Sequence, residues 1–216
     1  MLSKAHVSVL MAVYNTDFTL IKRAIDSVLN QDFQDFELII IDDGSNQFDR
    51  EALMHFVEEN EDKIVYIRHS NRGQSESINR GVLNSTGEFI TIIDSDDQYK
   101  PYHLSSCLRE VETYDLICST TETIVDSHED YYVPDKDDFT KLIHLDEATL
   151  FGTLFGRKQV FKNIHFKSGF AADADFFERA QHQFRAKKVD LRTYIYHRNI
   201  PNSICSSLKK ANLTIS

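Results

Sequence analysis

Residues 87–97 read GEFITIIDSDD: a glycine that breaks the chain, a run of strand-forming apolar residues, then Asp94, Ser95, Asp96 and Asp97. The run from Phe89 to Ile93 falls far short of the roughly 20 apolar residues that span a bilayer, and it suits a strand buried on both faces. The segments before it repeat the same plan. Val7 to Val13 is a first strand, and Leu20, Ile21, Ala24, Ile25, Val28 and Leu29 follow at the spacing of one helix face. Phe36 to Ile41 is a second strand, Leu53, Phe56 and Val57 mark a second helix, Ile64 to Ile67 a third strand, and Ile78, Val82 and Leu83 a third helix. Strand and helix alternating across short polar connections predict an α/β fold with a mostly parallel central sheet flanked by helices. Every strand runs out into polar residues, which therefore gather at the carboxyl edge of the sheet, where open α/β sheets bind ligands.

Beyond Asp97 the rhythm changes. A helix is expected from Pro101 to about Thr113, a strand over 116–119, a polar surface excursion over 126–147 and an apolar stretch from Thr149 to Phe155. A helix carrying Phe176, Phe177, Ala180 and Phe184 and a last strand from Val189 to Tyr196 complete the pattern. With no Gly/Pro/Ser linker and no internal repeat, residues 1–216 read as one domain: a first half to residue 100, a second over 101–205 and a tail over 206–216.

The sequence holds 24 Lys and Arg against 34 Asp and Glu, a net charge of −10. Nucleic-acid binding rests on neutralising phosphates, so this balance argues against DNA or RNA as a partner. Met1 to His6 has no apolar signal-peptide region, and a cytoplasmic location is expected. Cys107, Cys118 and Cys205 are too far apart for a CxxC motif and read as reduced thiols without a zinc site. The charge is uneven: residues 94–156 carry 4 basic and 15 acidic side chains, residues 157–216 carry 12 and 4.

The carboxylates of Asp94, Asp96 and Asp97 repel one another. A solvated turn would relieve that repulsion, and so would a hard divalent cation held by one or two carboxylates plus substrate phosphate oxygens; the position after a buried strand favours the cation. An EF-hand loop needs glycine where Tyr99 stands, and a phosphatase-type DxDx(T/V) needs Thr or Val where Gln98 stands. At the end of the second strand, Asp43 can accept hydrogen bonds from a base or a ribose, or cap a helix. Tyr14, at the end of the first, can stack on a base or line the rim of the core. No GxGxxG follows that strand and no GxxxxGK(S/T) occurs, which leaves dinucleotide and P-loop binding unsupported. Asp173 and Asp175 precede the Phe176 helix, either as caps or as the source of a general base.

Taken in order, VSVLMAVYN (7–15), AIDSVLNQDFQDFELIIIDDGS (24–45), NRGQSESINRGVLNSTGEFITIIDSDD (71–97), LFGRKQVF (154–161), AADADFFERA (171–180) and YHRNIPNSI (196–204) resemble the family-2 glycosyltransferases of the GT-A fold. The likeness covers about residues 5–205 and implies a nucleoside-diphosphate sugar donor, UDP-linked by the family's bias. Its donor-binding residues would be Ala12, Tyr14, Asp43, Arg72, Asn79, Asp94 and Ser95. Ala12 and Tyr14 would flank the base and Asp43 would hydrogen-bond it. Asp94 would lie near the ribose, and Asp96 with Asp94 would hold Mn²⁺ or Mg²⁺. Asp173 stands in the place of the family's catalytic aspartate.

Three positions depart from the pattern: Met11 replaces a proline, Ile78 an arginine and Ala172 the glutamate beside the catalytic aspartate. The QxxRW motif of the processive synthases is missing, as is any Trp, which implies one sugar added at a time. The activity implied is inverting, metal-dependent transfer to a hydroxyl of a glycan or lipid-linked acceptor, in bacterial-type cell-surface polysaccharide biosynthesis. Ala172 motivates the alternative, a catalytically inactive sugar-nucleotide-binding scaffold of the same fold. Donor sugar, acceptor, linkage and oligomeric state stay open. The basic last quarter, including Arg179, Arg185, Lys187, Lys188, Lys209 and Lys210, suits a diphosphate, a lipid-linked acceptor or peripheral contact with an anionic membrane surface at its inner face. Pairing with the acidic middle of the same chain is the alternative.

Overall fold

The computed structural model describes residues 5–47, 49–138 and 140–199; Cys205, Lys209, Lys210, the 206–216 tail and the end of the YHRNIPNSI segment lie outside them. The first half follows the sequence closely. Strands β1 (Val7–Val13) and β2 (Phe36–Asp42) are buried almost end to end, as their unbroken apolar runs require of strands covered on both faces. Helix α1 (Phe18–Leu29) starts at Asp17, whose side chain accepts the Thr19 N–H at 2.8 Å, and buries Ile21, Ala24, Ile25 and Val28. Helix α2 (Arg50–Glu59), capped by Asp49, leads to β3 (Ile64–Arg68), and α3 (Gln74–Asn84) leads to β4 (Phe89–Ile92). In α3 only Ile78 and Val82 of the expected apolar face point inward; Leu83 is 67% exposed.

The second half is β5 (Gln98–Tyr99), α4 (His103–Glu110), β6 (Leu116–Ile124), a β7 (Tyr132–Pro134) and β8 (Leu142–His144) hairpin, β9 (Leu154–Arg157), α5 (Lys158–Ile164), α6 (Ala172–Gln181) and β10 (Ala186–His197). Eight strands form one sheet in the order β3-β2-β1-β4-β9-β6-β10-β5. The pairs among β1 to β4 and between β6 and β10 are parallel, whereas β9 runs antiparallel between β4 and β6 and β5 antiparallel to β10. The apolar stretch before residue 156 is thus a reversed strand, and the strand expected over 116–119 continues to Ile124 because β10 pairs along its whole length. The helix expected from Pro101 to Thr113 is shorter, His103 to Glu110, and the 126–147 excursion contains the hairpin.

Two apolar layers cover the sheet. One joins the buried faces of α1, α2 and α4; the other joins α3, α5 and α6, where Phe176 stacks on Phe166 at 4.1 Å between ring centroids and on Phe161 at 5.2 Å. Among the described residues, no helix is long and apolar enough to cross a membrane.

The end of β2 is fixed by Asp42, whose side chain is fully buried. It accepts hydrogen bonds from Tyr66 Oη (2.6 Å), Arg68 Nε (2.9 Å) and the Ser45 N–H (2.7 Å). Burial pushes its pKa up, but these hydrogen bonds and the Arg68 charge outweigh burial and hold it below the usual carboxylate range. Five described basic groups of the last quarter are likewise paired within the chain: Arg185 and Arg157 with Asp115, Arg192 with Asp146, Arg179 and Lys167 with Asp175.

Two predictions follow from this packing. Phe176→Ala should cost about 3–5 kcal/mol in urea unfolding, since a buried aromatic leaves a cavity. Tyr66→Phe should cost about 1.5–3 kcal/mol at pH 7, the range for a hydrogen bond to a charged group. Asp42's folded pKa is depressed, so the stability it brings is present above its unfolded value near 4 and is lost as pH falls through the folded one. The Tyr66→Phe deficit should therefore shrink between pH 7 and pH 3; a deficit independent of pH would refute the ionised state of Asp42.

Candidate functional site

The chain winds β1, β2, β3 in one direction and then returns through α3 to place β4 on the other side of β1. A crevice opens at such a reversal, outside the carboxyl ends of the two strands. Three loops of the first half line it.

After β1, Tyr14 is half exposed and Asn15 adopts φ +52, a left-handed conformation that Asn tolerates better than most residues. The Asn15 side-chain oxygen accepts the N–H groups of Asn46 (2.8 Å) and Gln47 (2.9 Å), and its own N–H donates to Ser45 Oγ (3.0 Å), stitching the β1 and β2 loops together. Ala12 lies just inside, partly buried on the α3 side of the sheet.

After β2, Asp43 accepts the N–H of Arg72 at 2.7 Å with one oxygen and that of Gly73 at 2.8 Å with the other. Its carboxylate thereby shapes the 69–73 loop, and His69 Nδ1 stands 3.5 Å from it. Gly44, at φ +77, is required here: a Cβ would lie 2.7 Å from the Asn71 nitrogen. Gly44, Arg68, His69, Ser70 and Asn71 line a cleft of about 560 Å³ beside Asp43. Arg72 itself is exposed. Asn79 bonds within the chain: its side-chain amide donates to the Phe166 carbonyl (2.8 Å) and its oxygen accepts the Phe166 N–H (2.9 Å), and with Ser75 on Lys167 it clamps α3 to the chain leading into α6.

After β4 comes the acidic turn, closed by the Asp97 N–H on the Asp94 carbonyl at 3.1 Å. Each of its residues is held by a different neighbour. Asp94 accepts Gln74 Nε2 at 2.6 Å, Ser95 Oγ meets Thr16 Oγ1 at 2.7 Å, and Arg23 donates to the Asp96 carbonyl. Asp97, 1% exposed, accepts Tyr194 Oη at 2.6 Å and the His197 N–H at 2.7 Å. Gln74, Thr16, Arg23, Tyr194 and His197 carry no local signature of this role, since their partners lie 20 to 100 residues away.

Helix α6 begins at Ala171, in the left-handed region at φ +51, and brings Asp173 to the same place. Burial pushes the Asp173 carboxyl up to about 6. Burial and then the charges of Asp96 and Asp173 push Asp94 up to about 7, which places Asp94 within electrostatic reach of both. Asp175 differs: Arg179, at 2.6 Å, holds it below the usual range as a surface ion pair. Ala172 is buried in the first turn of the helix, 5% exposed. The structure thus gathers Asp94, Ser95, Asp96 and Asp173, with Tyr14 and Asp43 on the neighbouring loops. Among the described residues no three His, Cys, Asp or Glu side chains enclose a metal ion. An ion here would complete its shell with oxygens of a ligand, which is how Mg²⁺ and Mn²⁺ commonly bind beside one or two carboxylates.

Structural neighbours share this architecture. A mannosyltransferase from Pyrobaculum calidifontis, solved with GDP-Man and Mn²⁺, superposes with a TM-score of 0.71 at 15% identity, over 96% of this chain and 60% of that one. S. aureus TarS 1–349 with UDP-GlcNAc gives 0.70 at 19% identity, over 91% and 60%. The fold is therefore GT-A. In sequence, an uncharacterized glycosyltransferase of Nostoc sp. is 37% identical over 111 residues, 51% of this chain and 34% of its own length. The GalNAc(5)-diNAcBac-PP-undecaprenol beta-1,3-glucosyltransferase of Campylobacter jejuni is 32% identical over 106 residues, 48% and 34%. The matches span only about a third of these two relatives. The model of the glycosyl transferase family 2 matches residues 8–173, most of the chain, from the second residue of β1 to Asp173; the chain belongs to that family.

Proposed function

We propose that the chain transfers one sugar from a nucleoside-diphosphate sugar, UDP-linked, to a hydroxyl of a glycan or lipid-linked acceptor with inversion, using Mn²⁺ or Mg²⁺, in cell-surface glycan synthesis. The reaction is placed in the cytoplasm, at the inner face of a membrane when the acceptor is lipid-linked. The observation that carries this reading is the meeting of Asp94, Asp96 and Asp173 at the β1/β4 crevice. The UDP-GlcNAc and GDP-Man bound to the structural neighbours, and the undecaprenol-linked substrate in one relative's name, support the substrate classes.

In this reading Tyr14 and Ala12 receive the base and Asp43 hydrogen-bonds it, with Arg72 and Ser95 bordering the donor. Asp96, with Asp94 beside it, would hold the cation. The donor set is all hard oxygen and its members repel one another, which fits such an ion. When bound, the cation supplies Lewis-acid stabilisation of the charge that develops on the departing diphosphate. Asp173 takes the proton of the acceptor hydroxyl as that oxygen bonds to the anomeric carbon and the bond from carbon to diphosphate oxygen breaks. Attack opposite the leaving group inverts the anomeric centre. With its carboxyl near 6, Asp173 is ionised at neutral pH yet more basic than a free aspartate. General-base help of this kind contributes about 10²- to 10⁴-fold.

A panel of UDP- and GDP-sugars with Mn²⁺, read by donor hydrolysis and by transfer, tests the reading. Asp173→Asn should keep nucleotide binding by calorimetry and lose about 10²-fold or more in kcat. Asp96→Ala should lose both Mn²⁺-dependent UDP binding and turnover. Binding without hydrolysis or transfer of any donor would favour the inactive scaffold, and full turnover by Asp173→Asn would remove that residue from catalysis.

A further inference from the structure

The acidic turn is supported from behind by a strand that the reaction itself does not use. In β10 the register with β6 jumps from Val189 opposite Ser119 to Tyr194 opposite Thr121, so residues 190–193 stand against Thr120 alone. A bulge of this kind re-aims the side chains that follow it. Several ties fix its shape. Arg192, at φ +50, donates to Thr121 O (3.1 Å) and bridges both oxygens of Asp146 (3.2 and 2.8 Å). Thr120 Oγ1 donates to Asp190 (2.5 Å), and Thr193 meets His103 Nδ1 through its hydroxyl (2.8 Å) and the Lys100 N–H through its carbonyl (2.8 Å).

The residue delivered by the bulge is Tyr194, fully buried, with its ring edge-on to Tyr99 at 5.8 Å. Its hydroxyl donates to Asp97 Oδ2 at 2.6 Å and accepts the Asp94 N–H at 3.2 Å, touching both ends of the acidic turn at once. Gly152 completes the seat, because a methyl group there would collide with the phenol ring. Nothing about strand packing requires a hydroxyl at this point, whereas the turn has two polar groups to satisfy there.

We propose that Tyr194 is a positioning residue for glycosyl transfer: its hydroxyl locks the two ends of the Asp94–Asp97 turn and so sets the presentation of Asp94 and Asp96 to the donor diphosphate. This rests on the function proposed above. Loss of the hydroxyl leaves the ring and its packing in place and frees the turn. Displacing a group that orients cation-binding carboxylates costs about 10- to 100-fold in metal affinity or activity.

The test compares the parent, Tyr194→Phe, Asp97→Asn, the double variant and Tyr99→Phe. Tyr99 supplies the control: its buried hydroxyl belongs to the same core and lies near the turn but hydrogen-bonds to Ile92 O (2.7 Å) and Thr91 Oγ1 (3.1 Å) in β4, not to Asp94 or Asp97. Each protein is measured for thermal unfolding, for UDP and GDP binding by calorimetry at a series of Mn²⁺ concentrations, and for kcat and KM on whichever donor the parent turns over. Tyr194→Phe should raise the Mn²⁺ needed for nucleotide binding about tenfold or more and lower kcat. Tyr99→Phe should lower Tm by a similar amount and leave both unchanged. The double variant should be no worse than the poorer single, as expected of two residues in one hydrogen bond. An active parent matched by Tyr194→Phe, equal losses in Tyr99→Phe, or multiplying losses in the double variant would each overturn the positioning role alone. A parent that neither binds nor turns over any nucleotide sugar would overturn the proposed function and this role with it. Should Tyr194→Phe fail to fold, Asp97→Asn against Tyr99→Phe decides the question.

Discussion

Asp94, Asp96 and Asp97 cannot sit within one turn at the end of a buried strand unless the protein answers their mutual repulsion, which strengthens as water is removed. The answer here is made chiefly of neutral donors: the Gln74 amide, the Tyr194 hydroxyl and the His197 N–H. Neutral donors satisfy lone pairs without cancelling charge. Arg23 meets the turn through the Asp96 carbonyl and offsets the charge of that carboxylate only in part, since burial still leaves its pKa raised. The turn is therefore tightly hydrogen-bonded yet short of compensating charge, and the carboxyls of Asp94, Asp96 and Asp97 are all pushed up by burial, Asp94 to about 7. Its restraints come from three elements: Arg23 in α1, Gln74 at the start of α3, and Tyr194 and His197 in β10.

The donor half was legible because its signals are local. Continuous apolar runs read as strands buried on two faces, helical spacing identified α1 to α3, and polar strand ends marked the crevice. Reversal of β9 was not legible: four residues, Leu154 to Arg157, look alike in either direction, and only pairing with β4 and β6 decides. Length of β6 was set by β10, a partner 70 residues away, and the bulge of β10 has no periodic signature. Leu83 was assigned inward by spacing, but α3 packs through Ile78 and Val82, and Leu83 falls beyond that face. At the site, Asp173 could not be told from Asp175 by position alone. The structure separates them, since Arg179 and Lys167 occupy Asp175 while Asp173 shares the field of Asp94.

Charge bookkeeping along the sequence takes a different meaning in three dimensions. The acidic middle and the basic last quarter lie on adjacent strands and loops, so Asp115 meets Arg157 and Arg185, and Asp146 meets Arg192. These contacts sit mostly at the surface, where each adds little stability. Their arithmetic matters more: described basic residues that could have formed a field toward an anionic surface are largely balanced nearby. The acidic turn has less such compensation, and burial raises the pKa values of its carboxyls instead.

The reversed strand β9 has a consequence for how proteins of this kind diversify. Residues 125–153 leave the sheet at the end of β6 and re-enter at the start of β9, both on the ligand-binding edge. Asp146 and Gly152, late in that stretch, hold the bulge and the seat of Tyr194, so the β7–β8 hairpin ahead of them is the part whose length can change without disturbing the turn.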